Sequence, residues 1–459
     1  MNTTYTGIIL GIALVLAAVI YMMPSEPKIP QLEEVYWGPG QKPRKIDESI
    51  RPFKIKFEKE MIDDLRFRLN NTRNLQPSLE HSGWKYGVNS NYVPTIIDFW
   101  LNKYDFRKRE DHLNRYPQFL TNIQGLDIHF VRVKPQVPKD RKLRVLPLLI
   151  VHGWPGSIVE FQKIIPLLTR PQANRDFVFE VIAPSIPGFG YSSQAAKPGL
   201  GAFEMALILK SLMLRLGYDK FYTQGGDWGA VITSYMAVLY PQHMLGMHLN
   251  LCMVLNPWTL AKTAIYSLIP WLMLDEERYL SSPLGYQIQT LIAETGYYHM
   301  QATKPDTLGI GMTDSPAGFA AYVLEKFSTI TQMQNAWTDD GNLLEKFEMT
   351  ELIDNLMMYW APNKITSGFR IYAESTSSRI LKMRLNNIPV KVPTACAQFP
   401  HEIIFQPEAL LRDRFVNLVK VTRMKRGGHF AALEEPELLA EDIWSAVPFL
   451  MKRSELLRN

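Results

Sequence analysis

The sequence predicts an α/β fold: a mostly parallel sheet with helices on both faces, interrupted late in the strand series by a helical block. Three observations predict it. Short, largely apolar runs, LPLLIV (146–151), VFEVIA (178–183) and KFYTQ (220–224), recur between helical stretches such as 202–216, the pattern of strands buried on both faces. From about 254 to 385 the chain reads as helical and aromatic, without an obvious strand. Strand character then resumes at VKVPTACA (390–397) and NLVKVTRM (417–424), followed by a helix from Glu435 to about Lys452. A helical insert near the carboxyl ends of such strands is placed to cap a site.

In chain order, residues 7–23 come first: GIILGIALVLAAVIYMM, without a charge. At 1.5 Å per residue the run reaches roughly 25 Å, the short end of a bilayer span. No basic residue precedes it, whereas Lys28, Lys42, Arg44 and Lys45 follow. The segment therefore reads as an uncleaved anchor (1–23), single-pass, with the body facing the cytosol. On that topology the sequon Asn70-Asn71-Thr72 never meets the glycosylation machinery. A Pro- and Gly-rich strap and a helical, aromatic extension follow (24–125). The first part of the sheet spans 126–253, opening with LDIHFVRVK (126–134), which alternates as a half-exposed strand, and including MHLNL (247–251). The cap (254–385) and the remainder of the sheet (386–459) complete the chain.

Composition narrows the function classes. With 459 residues, 46% hydrophobic and 21% charged, disorder, collagen-like repeats and a multi-span membrane protein are excluded. The net charge of +5, from 50 Lys+Arg against 45 Asp+Glu, is spread along the chain, so no nucleic-acid partner is expected. The densest cluster, Arg107 to Asp111, holds its own counter-charges and reads as a solvated helix face. Two cysteines, Cys252 and Cys396, exclude a disulfide-built fold and suit a reducing compartment. No metal is expected: none of the 9 histidines has a short ligand spacing.

The chemistry concentrates after the strands. KFYTQ runs into Gly225-Gly226-Asp227-Trp228-Gly229-Ala230 and then a helix. This is the strand–turn–helix that normally presents a nucleophilic serine between small residues. With Asp227 at the apex, the suited reaction is displacement at an sp3 carbon to give an alkyl-enzyme ester. HGWPGS (152–157) follows strand 146–151 and faces that turn, so the backbone N–H groups of Trp154 and Trp228 can hold an oxyanion. His152 reads as an orienting or structural histidine, and APSIPGFGYSS (183–193) as support for the floor of the site. Hydrolysing the ester needs a base. His429, on the Gly-flanked loop after the last strand, occupies that place in the order nucleophile, acid, histidine. Glu402, after strand 390–397, is the preferred orienting acid, with Glu374 and Glu434 as rivals.

At these residues the chain resembles the microsomal branch of the α/β-hydrolase epoxide hydrolases, including the insect juvenile hormone epoxide hydrolases. The resemblance runs through WGPG (37–40), SIRPFK (49–54), NSNY (89–92), GLDIHF, HGWPGS, PSIPGFG, QGGDWG, TKPDT (303–307), LEKFST (324–329) and RGGHFAALEEPELLA (426–440). It implies an α/β-hydrolase fold with an inserted helical cap, Asp227 as nucleophile, His429 as base and Glu402 as acid. It also implies two cap tyrosines that donate to the epoxide oxygen: Tyr297, which adjoins Tyr298, and Tyr372. The implied activity is cofactor-independent hydrolysis of lipophilic epoxides, juvenile hormone or xenobiotic, to vicinal diols at the endoplasmic reticulum membrane. The rivals are a haloalkane dehalogenase-like hydrolase, which shares the Asp-Trp turn, and a non-catalytic binder of hydrophobic hormones.

Overall fold

The structure, a computed structural model, describes residues 28–456 apart from 279 and 282. The expected anchor, 7–23, lies outside them. Among the described residues no helix is long and apolar enough to cross a membrane.

Nine strands form one sheet among these residues: β1 (Arg51–Phe53), β2 (Gln118–Ile123), β3 (Leu126–Val133), β4 (Arg144–Val151), β5 (Phe177–Pro184), β6 (Phe221–Gly225), β7 (Met244–Leu249), β8 (Thr394–Gln398) and β9 (Leu418–Arg423). Their spatial order is β1-β2-β3-β5-β4-β6-β7-β8-β9. Pairing is antiparallel from β1 to β5 and parallel from β5 onward. The apolar runs lie at the centre because both faces are covered. Every residue of β5, β6 and β8 is buried. Ala202–Arg215 and Asp227–Leu239 pack together over one face, while Pro436–Leu456 packs with Ile165–Thr169 over the other. There Trp444 lies 5.1 Å and 4.8 Å, ring to ring, from Phe177 and Phe179. Each such buried side chain stabilises the fold by about 1.5–3 kcal/mol.

The N-terminal edge of the sheet departs from expectation. β1 and β2 extend it antiparallel, and β2 comes from residues read as part of a helical extension. Flanked by β2 and β5, β3 is buried at five of its eight positions rather than half-exposed. The helix Phe106–Leu113 is not a purely solvated face either. Arg107 does pair with Glu110 (2.8 Å), but Arg109 reaches across to the buried Asp354, with its Nε 3.0 Å from Oδ1. Glu110 accepts the Phe57 N–H.

The cysteines also differ from expectation. Cys252, just past β7, and Cys396 in β8 form a disulfide, with Cα atoms 6.1 Å apart. Parallel pairing sets Leu249 opposite Cys396, and the chain leaving β7 brings Cys252 beside it. A sequence separation of 144 gave no hint of this.

Between β7 and β8 the chain is helical, from Pro257–Leu268 to Ser378–Met383. The loops leaving β4, β6, β8 and β9 gather at the carboxyl end of the sheet beneath these helices. A close backbone approach occurs there, where a methyl at Gly229 would stand 1.9 Å from the Val151 carbonyl oxygen. Gly229→Ala should therefore cost about 2–3 kcal/mol through forced separation of β4 from the helix. Gly311→Ala, in a helix with open space around it, should gain about 0.5–1 kcal/mol. Thermal unfolding of the two variants checks the contrast.

Candidate active site

β6 ends at Gly225 and the helix Asp227–Leu239 begins two residues later. A turn this tight forces Asp227 into the left-handed region, φ 47°, strained for a residue bearing a Cβ. The strain lifts its carboxylate clear of the sheet, at the positive end of the helix. Oδ1 accepts the Trp154 N–H at 2.8 Å. Trp228 lies in the first turn of that helix, where N–H groups have no intrahelical acceptor. A methyl at Gly153 would stand 1.9 Å from Asp227 Oδ1, so the β4 loop can close over the carboxylate only as glycine.

His429 meets the other carboxylate oxygen, with Nε2 3.5 Å from Asp227 Oδ2. Its Nδ1 lies 2.7 Å from Glu402 Oε1. The loops carrying Glu402 and His429 are tied by the His401 N–H donating to the Gly427 carbonyl at 3.2 Å. Burial opposes the imidazolium, but Glu402 and Asp227 outweigh it and hold the His429 pKa well above its ordinary value. Of the rival acids, Glu374 accepts the distant Gly199 N–H at 2.9 Å. Glu434 braces the histidine loop, accepting from Gly428 (2.9 Å) and Phe430 (2.8 Å). His152 has its pKa lowered by burial to about 4, and its Nε2 accepts the Ile186 N–H at 3.2 Å. It thus joins the 183–193 loop to the floor of the site.

Tyr297 and Tyr372 reach the same point from the helices above. Tyr297 stacks on Trp154, centroids 5.1 Å apart, with Lys326 Nζ 4.8 Å over its ring. Tyr372 stands edge-on to Trp228 at 4.9 Å. Its hydroxyl is buried without a hydrogen bond of normal geometry. Burial raises both phenols above the ordinary tyrosine pKa, with the Asp227 charge adding to the effect. Tyr298 packs on Tyr372 at 5.1 Å but is 38% exposed.

Asp227 lines two cavities. A small one, about 20 Å³, also touches His429, Glu160, Gln224 and Asn250. A large one, about 1750 Å³ and mostly apolar, contains Tyr297 and Tyr372. Among the described residues no cluster of side chains suits a metal ion.

Comparison with known proteins places the chain in a family. Residues 50–161 fit the family model described as epoxide hydrolase N terminus, and 147–278 the one described as alpha/beta hydrolase fold. Juvenile hormone epoxide hydrolase 2 of Ctenocephalides felis is 49% identical over 444 residues, 96% of this chain and 94% of that protein. The chain belongs to the epoxide hydrolase family. Epoxide hydrolase 1 of Sus scrofa is 46% identical over 94% of this chain and 96% of its own. The crystal structure of juvenile hormone epoxide hydrolase from the silkworm Bombyx mori superposes with a TM-score of 0.90 at 45% identity, covering 93% of this chain and 99% of that one. The protein is thus an epoxide hydrolase with the α/β-hydrolase fold.

One acidic group of this hydrolase escaped the sequence reading. Glu160, four residues past Gly156 in HGWPGSIVE, folds its carboxyl back so far that a methyl at Gly156 would lie 1.5 Å from Oε1. Burial raises its pKa from 4.5 to about 8; His429 opposes the shift and Asp227 adds to it. The only legible signal was the glycine that leaves the room. Because the folded state holds this proton and the unfolded state releases it near pH 4.5, stability falls as pH rises toward 8. Glu160→Gln should flatten that fall, read as Tm against pH from about 5 to 8.

Proposed function

We propose that Asp227 is the nucleophile of a two-step hydrolysis in which it divides a substrate cavity from a water cavity. That position, with tyrosine hydroxyls on one side and His429 on the other, is the observation that carries the reading. With Oδ1 tied to the Trp154 N–H, Oδ2 attacks an oxirane carbon from the side opposite the ring oxygen. Tyr297 and Tyr372 hydrogen-bond the oxygen as the C–O bond breaks and protonate the alkoxide. Tyr297 is assigned over Tyr298 because it lies against Trp154 and is the less exposed of the two.

Esterification removes the Asp227 charge, and with it part of what holds the proton on His429. The proton His429 then sheds balances the one the tyrosines gave up. Oriented by Glu402, the neutral imidazole takes a proton from a water in the small cavity, which is large enough for one molecule. The hydroxide attacks the ester carbonyl carbon. The Trp154 and Trp228 N–H groups hold the tetrahedral oxyanion. Collapse expels the diol oxygen, which takes its proton from His429; the Asp227 carboxylic acid then passes the incoming hydroxyl's proton to His429, restoring the carboxylate and the imidazolium. No cofactor enters any step. Tyrosine hydroxyls at the breaking bond suit an epoxide rather than a halide, which needs no proton.

The size and apolar lining of the large cavity support lipophilic epoxides as substrates. The names of the insect relatives support juvenile hormone as one candidate class, and the apolar lining suits xenobiotic epoxides as the other. We also assign residues 7–23 to a single-pass anchor in the endoplasmic reticulum membrane with the body in the cytosol, supported by Lys28, Lys42, Arg44 and Lys45 after the span. The Cys252–Cys396 bond pulls the other way, since disulfides are rare in a reducing compartment. Asn70 is exposed, so endoglycosidase treatment of membranes decides: a glycan at Asn70 reverses the topology.

Three experiments test the mechanism. A single turnover in heavy-oxygen water should label Asp227 and leave the first diol unlabelled, whereas label in the diol means direct attack by water. His429→Gln should accumulate the Asp227 ester, visible by intact mass. Tyr297→Phe and Tyr372→Phe should each lower kcat/KM on epoxides by about 10²–10⁴-fold, with Tyr298→Phe falling less.

A further inference from the structure

The large cavity holds a cation that the reaction does not use. Arg414, in the turn before β9, is 5% exposed, and its Nε and Nη2 are buried without a hydrogen-bond partner. Its guanidinium lies over the rings of Tyr235 and Phe415, 5.9 Å and 5.8 Å from their centroids. The neighbouring acid does not neutralise it: Asp413 is taken by Lys262 Nζ (2.8 Å) and Thr259 Oγ1 (2.9 Å). A buried guanidinium with neither carboxylate nor acceptor is costly, and aromatic faces offset only part of that cost.

Position gives the cation a use. Arg414, Tyr235 and Phe415 all line the cavity that contains Asp227, Tyr297 and Tyr372. Tyr235 is on the helix that starts at Asp227, eight residues on, so roughly 12 Å along its axis. An apolar chain held at one end by Asp227 and the tyrosines would bring its other end to the guanidinium. The flat, forked donor set of arginine suits two oxygens on one carbon.

We propose that Arg414 forms a second recognition point in the substrate cavity, binding a carboxylate carried at the far end of a lipophilic epoxide. The substrate class is then acidic epoxides whose oxirane and carboxylate are separated by about the Asp227–Tyr235 distance. A neutral ester end offers one carbonyl oxygen and no charge, so it binds more weakly. The proposal rests on Asp227 marking the reactive end of the cavity.

The test compares the epoxide of oleic acid with its methyl ester. In the wild type, kcat/KM for the acid should exceed that for the ester by about 10–100-fold, the worth of a hydrogen bond to a charged group. Arg414→Met should bring the ratio near one, and Arg414→Lys should keep part of it. A ratio near one in the wild type, or one unchanged in Arg414→Met, overturns the proposal. A second measurement covers the case in which Arg414→Met does not fold. Stearate and methyl stearate, which carry no epoxide, are compared as ligands of the wild type by calorimetry. Tighter binding of stearate by tenfold or more supports the site, and equal affinity overturns it. Diol formation by Asp227→Ala would instead defeat the nucleophile assignment, leaving the stearate comparison to judge Arg414.

Discussion

The site depends on one backbone approach: the carbonyl of Val151, at the end of β4, lies where a side chain on Gly229 would have to be. Two parallel strands deliver two loops to the same point only if the helix after β6 starts hard against β4. That proximity sets Asp227 at φ 47° and brings the Trp154 N–H to 2.8 Å from its carboxylate. The strain at Asp227 is offset by packing elsewhere, in a sheet whose central strands are buried on both faces. A looser turn would relieve the backbone but lose the N–H contact.

Charge coupling gives the same geometry a direction in time. While Asp227 is anionic, the imidazole 3.5 Å away is held in its protonated form, and an imidazolium cannot activate water. The ester intermediate carries no charge, so the chemistry of the first step removes the obstacle to the second. Glu402 remains as the partner at Nδ1, fixing the ring so that Nε2 faces the small cavity. Glu160 has the opposite behaviour. It shares that cavity with Asp227 and avoids a second negative charge by keeping its proton to about pH 8.

How much of this was legible depends on the kind of signal. Asp227, His429, Glu402, Trp154 and Trp228 follow from strand–loop order, because parallel topology sends every loop after a strand to the same end of the sheet, and the structure brings all five together. The tyrosines were not legible in that way. They lie on helices whose register against the sheet is a tertiary property, and only resemblance singled out Tyr297 and Tyr372 among 20 tyrosines. β1 and β2 were missed because a three-residue strand carries no periodicity and QFLTNI (118–123) is too short to separate helix from strand. The disulfide, the Arg109–Asp354 pair and the placement of Arg414 beside the large cavity are all products of long-range packing. Glu160 sat inside a recognised motif, yet its importance comes from a missing side chain at Gly156 rather than from its own spacing.

The elevated tyrosine pKa values suit the chemistry rather than weaken it. A phenol of ordinary pKa beside a carboxylate would be partly deprotonated in alkaline conditions and useless as a donor. Burial and the Asp227 charge keep Tyr297 and Tyr372 neutral, so both enter the reaction as donors. A developing alkoxide is more basic than either phenolate, so the proton transfer remains favourable even from a weakened acid. The same displacement transfers the negative charge from Asp227 to the ring oxygen, and the Asp227 repulsion that opposes tyrosine ionisation weakens as the proton is needed. A leaving halide makes no such demand, which is why a pair of buried hydroxyls above this carboxylate is chemically informative where the carboxylate alone is not.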